Sequence, residues 1–209
     1  MSMIRIVTIE REYGSGGGEV AKLLSEKLGW KLWDQLLTEE IARLAECPKA
    51  IVESREEKND PLHYRLFKSF LRGSYEGSIN AHKLKLVDSE SILKITERVV
   101  LHAASKGSCV IVGRGSQYFL ETRDDTLRVF LFATPEDKVR RLMAGGKSQA
   151  EAQELVDTVD RDRMDFIQRY FHVEWPTRSA YHIMLNTGIG EEMVVSAIQG
   201  FMKTLDTSS

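Results

Sequence analysis

Cysteine is scarce in this chain. Cys47 and Cys109 are the two in 209 residues, and they lie far apart. Neither a disulfide framework nor a thiolate zinc site can be built on them. Cys109 sits in the apolar run SCVIV and is expected to be a buried, reduced thiol. The five histidines show no metal-ligand spacing. Long apolar runs are missing as well. The opening MSMIRIVTIERE is interrupted by charge too soon for a signal peptide or a membrane span, and no later stretch approaches the necessary length. An excess of one charge sign is also missing. The formal net charge is −2, which gives no basic field for a nucleic acid polymer or an anionic membrane. A soluble, cytoplasmic protein with neither of those partners is expected. There is no internal repeat and no low-complexity linker. With 42% hydrophobic residues the chain can build a real core, and one domain spanning 1–209 is expected.

What is present is an alternation of strand and helix patterns. IRIVTI (4–9) is β-branched and ends at glycines, the pattern of a buried strand. Val20, Leu23, Leu24, Lys27 and Leu28 follow at helical spacing until Gly29. KLW (31–33) is a short second strand ending at Asp34. Residues 36–58 carry helical spacing with a break near Pro48. A further helical face joins Leu62, Leu66, Phe67, Phe70 and Leu71, followed by a polar loop over 72–83. Helical spacing resumes through Ile92, Ile95, Val99 and Ala103 and stops at Gly107. Strands are expected at 109–112 and 127–133. In TPED, Thr134 can cap, Pro135 fits the first turn and Asp137 completes the cap. GGK (145–147) breaks that helix. SQAE (148–151) is a capping box that opens a long charged helix toward residue 170. A last strand lies within YHIMLNT (181–187). An amphipathic helix with Met193, Val194, Ala197, Ile198 and Phe201 follows, and the tail DTSS is expected to fray. Strands this apolar need cover on both faces. The expected fold is therefore α/β, a five-stranded parallel sheet with helices on both sides. Ligands of such sheets bind at the carboxyl ends of strands, here the segments 10–18, 34–40, 113–117 and 134–141.

The first of these segments contains GSGGG, between a strand and a helix. Gly14, Gly16, Gly17 and Gly18 let backbone N–H groups converge without obstruction by Cβ atoms. The helix behind them aims unpaired N–H groups and its positive end at the same point. The loop is either a phosphate cradle or a tight turn whose glycines serve packing, and its place between first strand and helix favours the cradle. What it lacks is lysine. Laid on the pattern G-x-x-x-x-G-K-[ST] with Gly16 as the second glycine, the lysine position is Gly17, the hydroxyl position Gly18 and the first glycine position Arg11. Arg11 is then the nearest cation, Ser15 the nearest hydroxyl, and Glu19 opens the helix.

At this point the sequence resembles the P-loop nucleoside monophosphate kinases, and most closely the cytidylate-kinase-like family. The residues that carry the resemblance are VTIEREYGSGGGEVAKLLSEKLGWKLWD (7–34), LWDQ (32–35), VIVGRG (110–115), VDRDR (159–163) and WPTRSAYHIMLNT (175–187). Their order and spacing match over most of the chain, with 45–95 the weakest part. The sequence departs from the pattern at Gly18, where the family has arginine. It also departs at Glu40, where cytidylate kinases have arginine, and at Gly115, where they have aspartate. His182 is a fourth departure. The resemblance implies a P-loop kinase fold with an acceptor-binding region at 36–90 and a lid at 136–175. It implies ATP and Mg²⁺ as cofactors and a small-molecule nucleotide as partner, with no metal ligand assigned among protein residues.

The implied reaction is ATP-dependent phosphoryl transfer to a nucleoside monophosphate. Such transfer needs positioning and cations more than covalent chemistry. Arg11, Arg114, Arg161 and Arg163 are the catalytic candidates. Gly14, Ser15, Gly16, Gly17, Gly18 and Glu19 are the cofactor-binding candidates. Asp34, Arg114, Arg141 and Arg169 are the substrate-binding candidates. Each has a plainer alternative. Arg114 can be a surface ion pair, the arginines of 141–169 can belong to a solvated helix with i,i+4 pairs, and Asp34 can cap the next helix. Trp33, Trp175 and Tyr181 stack on a base or fill the core, and Lys147 is a lid cation or an exposed loop lysine. The alternative function is a nucleotide-binding module, impaired in catalysis, that senses or scaffolds. The apolar face at 62–71 also leaves room for a homodimer.

Overall fold

The computed structural model describes residues 3–45 and 89–207. Its sheet has five parallel strands in the order β2-β3-β1-β4-β5. In chain order these are β1 (Ile6–Arg11), β2 (Lys31–Trp33), β3 (Cys109–Val112), β4 (Thr126–Phe132) and β5 (Ile183–Asn186). Helix α1 (Gly17–Leu28) follows β1, and α2 (Gln35–Ala45) follows β2. Next come α3 (Ser89–Lys106) before β3 and a single turn, α4 (Ser116–Phe119), after it. Helices α5 (Pro135–Ala144) and α6 (Gln149–Phe171) lie between β4 and β5, and α7 (Glu191–Thr207) ends the chain. The expected helical extension to residue 58, the 62–71 face, the 72–83 loop and Cys47 lie outside the described residues.

The strands alternate between two cores, as two-sided burial requires. On one face Ile6, Cys109, Ile111 and Phe130 meet Leu37 and Ile41 of α2, Val100 and Ala103 of α3, and Phe166 of α6. On the other, Val7, Ile9, Val110, Val129 and Leu131 meet Val20 and Leu24 of α1 and Val194 and Ile198 of α7. Cys109 is a buried free thiol, and burial pushes its pKa up to about 11. The caps follow the sequence: the Thr134 hydroxyl accepts from the Asp137 N–H, and Ser148 and Glu151 form the reciprocal box. Among the described residues no helix is long and apolar enough to cross a membrane.

Two local expectations change. The first strand runs on to Arg11, so Glu10 and Arg11 are strand residues with sheet partners Phe130 and Leu131. The final helix continues to Thr207, and Asp206 accepts a hydrogen bond from the Ile4 N–H at 2.9 Å. Fraying therefore does not begin at the aspartate, because that carboxylate ties the last turn to the chain start.

Candidate functional site

β1 carries the chain to the site between its neighbours β3 and β4. The Glu12 N–H still donates to Leu131 O at 3.0 Å, and the chain then leaves the sheet. It turns through Gly14 and Gly16, both left-handed (φ 75° and 78°). Gly16 is the N-cap of α1, with no side-chain cap bond. Helices α5 and α6, in contrast, each begin with one. The first-turn N–H groups of α1, from Gly17, Gly18 and Glu19, are thus left for a ligand. Ser15 is buried, and its hydroxyl donates to Glu12 O at 2.8 Å. Glu19 is exposed on the rim.

The missing lysine has a steric reason. A Cβ at Gly17 would stand 2.7 Å from Arg11 Cβ and 2.8 Å from Arg11 Cγ. No side chain fits there while arginine occupies position 11. The Arg11 side chain passes under the loop, and its Nη1 lies against Gly113 at the tip of β3. Its pKa is lowered to about 10, first by burial and then by the nearby Arg163 and Arg114, against the pull of Asp34 and Glu10. An anion bound beside it would reverse that cost.

A cleft of about 470 Å³ opens over the loop, within the range of small-molecule sites. Arg11, Arg141, Arg163 and Lys147 all reach its wall. Arg141, from α5, lies across the loop: a Cβ at Gly16 would meet its Nε at 3.3 Å. Its Nη2 donates to Thr187 O at 3.0 Å, while its Nη1 is buried with no hydrogen-bond partner. Lys147 is half-buried rather than exposed. Arg163 is buried, donates to Arg11 O at 2.7 Å, and stands 5.4 Å from the Trp175 ring centre. Arg161 and Arg169 are exposed on α6 and do not line the cleft.

Asp34 and Arg114 meet next door, at the tips of β2 and β3. Arg114 Nη1 lies 3.0 Å from Asp34 Oδ1, and both side chains are almost wholly buried. The same nitrogen donates to Val112 O, and Nη2 donates to Asp34 O and the Thr38 hydroxyl. Arg114 holds a left-handed backbone (φ 55°), which a non-glycine residue adopts at a cost of about 1–3 kcal/mol. Trp33, Trp175 and Tyr181 belong to the core.

Four contributors were not singled out from the sequence. Glu10 is buried and accepts from Gln117 Nε2 at 3.2 Å. Asp160 and Lys138 brace the loop from α6 and α5. Thr187 donates to Ser15 O at 2.6 Å from just beyond β5. The Asn-Thr pair after the last strand was the available signal for Thr187, and VDRDR the signal for Asp160, where the arginines drew attention first. Thr187→Val is expected to cost about 1–3 kcal/mol by leaving the Ser15 carbonyl unsatisfied, as read by urea unfolding.

The comparisons with known proteins agree with this geometry. The sequence matches the cytidylate kinase-like family over residues 6–189. No curated protein matches the chain. Among solved structures, an uncharacterized protein from Eubacterium ventriosum ATCC 27560 is similar at 20% identity and TM-score 0.69, covering 97% of this chain and 99% of that one. Shikimate kinase from Bacteroides thetaiotaomicron is similar at 16% identity and TM-score 0.54, with 97% and 99% covered. Shikimate kinase from Acinetobacter baumannii, in complex with shikimate, is similar at 15% identity and TM-score 0.54, with 96% and 94% covered. At these identities the structures share the fold. The family match spans the glycine loop, all five strands and helices α5 and α6, so the chain belongs to the cytidylate kinase-like family, phosphotransferases of the P-loop nucleoside monophosphate kinase class.

Proposed function

We propose that this chain transfers the γ-phosphoryl group of ATP to a nucleoside monophosphate of the cytidylate type. The bond from the γ-phosphorus to the ADP oxygen breaks, and a bond to an acceptor phosphate oxygen forms. The acceptor oxygen is already anionic, so no general base is needed. The observation that carries the reading is the Arg141 guanidinium. It lies across the loop at Gly16, with Nη1 buried and unpartnered. A buried, unsatisfied donor is costly, and a phosphate oxygen in the cradle would satisfy it with a charge-assisted bond. Arg141 thus takes on the loop crest, and Arg11 the side toward β3 and the acceptor. Arg163 holds the end of β1, and Arg114 and Asp34 tie the tips of β2 and β3 on the acceptor side. From the exposed side of α6, Arg161 stays a catalytic candidate and Arg169 a substrate-binding one.

ATP fits the loop because the uncapped N-terminus of α1, the two left-handed glycines and the cleft volume converge there. Mg²⁺ keeps several waters and is held by phosphates plus one or two carboxylates. Glu19 and Glu191 on the cleft wall suit that part. Bound there, Mg²⁺ would supply neutralisation of the phosphate charge.

The test is calorimetric titration with MgATP beside a coupled transfer assay over the nucleoside monophosphates. Binding with turnover on CMP is expected. Arg141→Ala should weaken ATP by about tenfold to a hundredfold, the worth of one charge-assisted bond. Tight ATP binding without turnover on any acceptor would favour the second reading, an impaired module that senses or scaffolds. The observation behind that reading is Gly17 with Gly18, which leave the first turn of α1 without cation or hydroxyl. No binding at all would defeat both.

A further inference from the structure

The phosphate loop is held from outside by one carboxylate. The peptide between Glu12 and Tyr13 is planar and trans, so its C=O and N–H point in opposite directions. The Tyr13 N–H donates to Asp160 Oδ1 at 2.8 Å. The Glu12 carbonyl therefore faces the other way, into the loop, where it accepts from the Ser15 N–H at 3.3 Å and the Ser15 hydroxyl at 2.8 Å. Fixing one end of this peptide fixes the other, and with it the turn that presents Gly16 and the start of α1.

Asp160 is itself held firmly. Arg163, one helical turn on, donates to Asp160 Oδ1 at 2.9 Å with the same nitrogen that reaches Arg11 O. Lys138 of α5 lies 3.4 Å from Asp160 Oδ2 and 2.6 Å from Glu12 Oε2. Lys138 and Arg163 are buried. Two carboxylates and two cations thus form a charge-balanced quartet around the loop, of which Glu12 and Arg163 also line the cleft. α5 carries Arg141 as well as Lys138, so the helices that supply a cation to the cleft also fix the loop's shape.

We propose that Asp160 is a positioning residue for nucleotide binding: it orients the Glu12–Tyr13 peptide and so couples the α5–α6 pair to occupancy of the loop. This rests on the loop being the ATP-phosphate site. Moving α6 away breaks the Tyr13 bond and relaxes the turn. A bound phosphate holds the turn and thereby holds α6, since coupling of this kind is reciprocal.

The experiment compares Asp160→Ala, which removes the acceptor, with Asp160→Asn, which keeps a side-chain oxygen for the Tyr13 N–H. MgATP affinity is read by calorimetry, and amide exchange of the 12–16 segment by mass spectrometry or NMR. The alanine variant should bind MgATP about tenfold more weakly and exchange the 12–16 amides faster, and MgATP should slow exchange in its α6 less than in wild type. The asparagine variant should recover most of both. Equal affinity in wild type and alanine variant, equal losses in both variants, or the same MgATP protection of α6 in wild type and alanine variant would overturn the proposal. If the wild type bound no MgATP, the phosphate-site reading would fail, while faster exchange at 12–16 in Asp160→Ala would still establish the loop restraint. Should the alanine variant not fold, the Tyr13 amide of the wild type decides: it must be protected like the β1 amides, and free exchange there refutes the bond.

Discussion

Asp34→Ala is expected to lower the unfolding free energy by about 3–5 kcal/mol, the cost of stranding a buried charge. The Arg114 side chain has no exposure, and Asp34 Oδ1 is its only carboxylate contact at 3.0 Å among the described residues. The remaining partners of Arg114 are the Val112 and Asp34 carbonyls and the Thr38 hydroxyl. They are dipoles and do not neutralise it. For a chain of this size the loss corresponds to roughly 6–20 °C in Tm. The pH dependence carries a definite sign. Burial, the largest cause, already holds the Arg114 pKa below its ordinary value against the opposing pull of Asp34. Removing Asp34 lowers it further. A base whose folded pKa lies under its unfolded one gains stability as pH rises from the folded value toward the unfolded one, because the unfolded chain then binds more protons. The deficit of Asp34→Ala should therefore shrink at alkaline pH, measured by urea unfolding over a pH series. The double variant Asp34→Leu/Arg114→Met should fold nearly as stably as wild type, since an apolar replacement of a buried pair is often neutral. It also separates two roles. If it folds and still transfers phosphoryl groups at the wild-type rate, Arg114 binds no acceptor phosphate. If it folds and transfers poorly, the pair serves the acceptor as well as the fold.

Much of this architecture could be read from local pattern. Strand positions, to within two residues, and the caps at Thr134 and Ser148 are short-range matters of residue pattern and turn chemistry, and they stand close to where the sequence puts them. The glycine loop was legible for the same reason. Its surroundings were not. Asp160 contacts Tyr13 across 147 residues, Thr187 contacts Ser15 across 172, and Arg114 contacts Asp34 across 80. Nothing in VDRDR distinguishes the inward Asp160 and Arg163 from the outward Arg161, because helical phase against a neighbour is set by packing. The same limit applies to the four arginines of 141–169. Arg141 and Arg163 reach the cleft, while Arg161 and Arg169 face solvent. Arg11 is legible as the cation nearest the loop, but its path under Gly17 follows from the strand continuing two residues past the expected end.

That path makes the exchange of lysine for glycine at position 17 a coupled change, with a second large expected effect. Gly17→Lys restores the usual loop residue yet drives a Cβ into Arg11 Cβ and Cγ at 2.7 and 2.8 Å. Overpacking of this kind costs about 1–3 kcal/mol, and relief requires Arg11 to leave Gly113. With Arg11 in its proposed role toward the transferring phosphate, displacing it should cost about 10²–10³ in rate, so Gly17→Lys should lose most transfer activity despite its added lysine. Arg11→Gly should lose activity for the plainer reason that the cation is gone. Combined, the two substitutions clear the clash and supply a lysine at the start of α1. The double variant should then bind MgATP and transfer phosphoryl groups better than either single variant, with a coupling of about 0.5–3 kcal/mol in the cycle. Strict additivity, or a Gly17→Lys protein as stable and active as wild type, would show that positions 11 and 17 do not compete for one space. The expected non-additive cycle would make Arg11 the reason this loop works without its lysine.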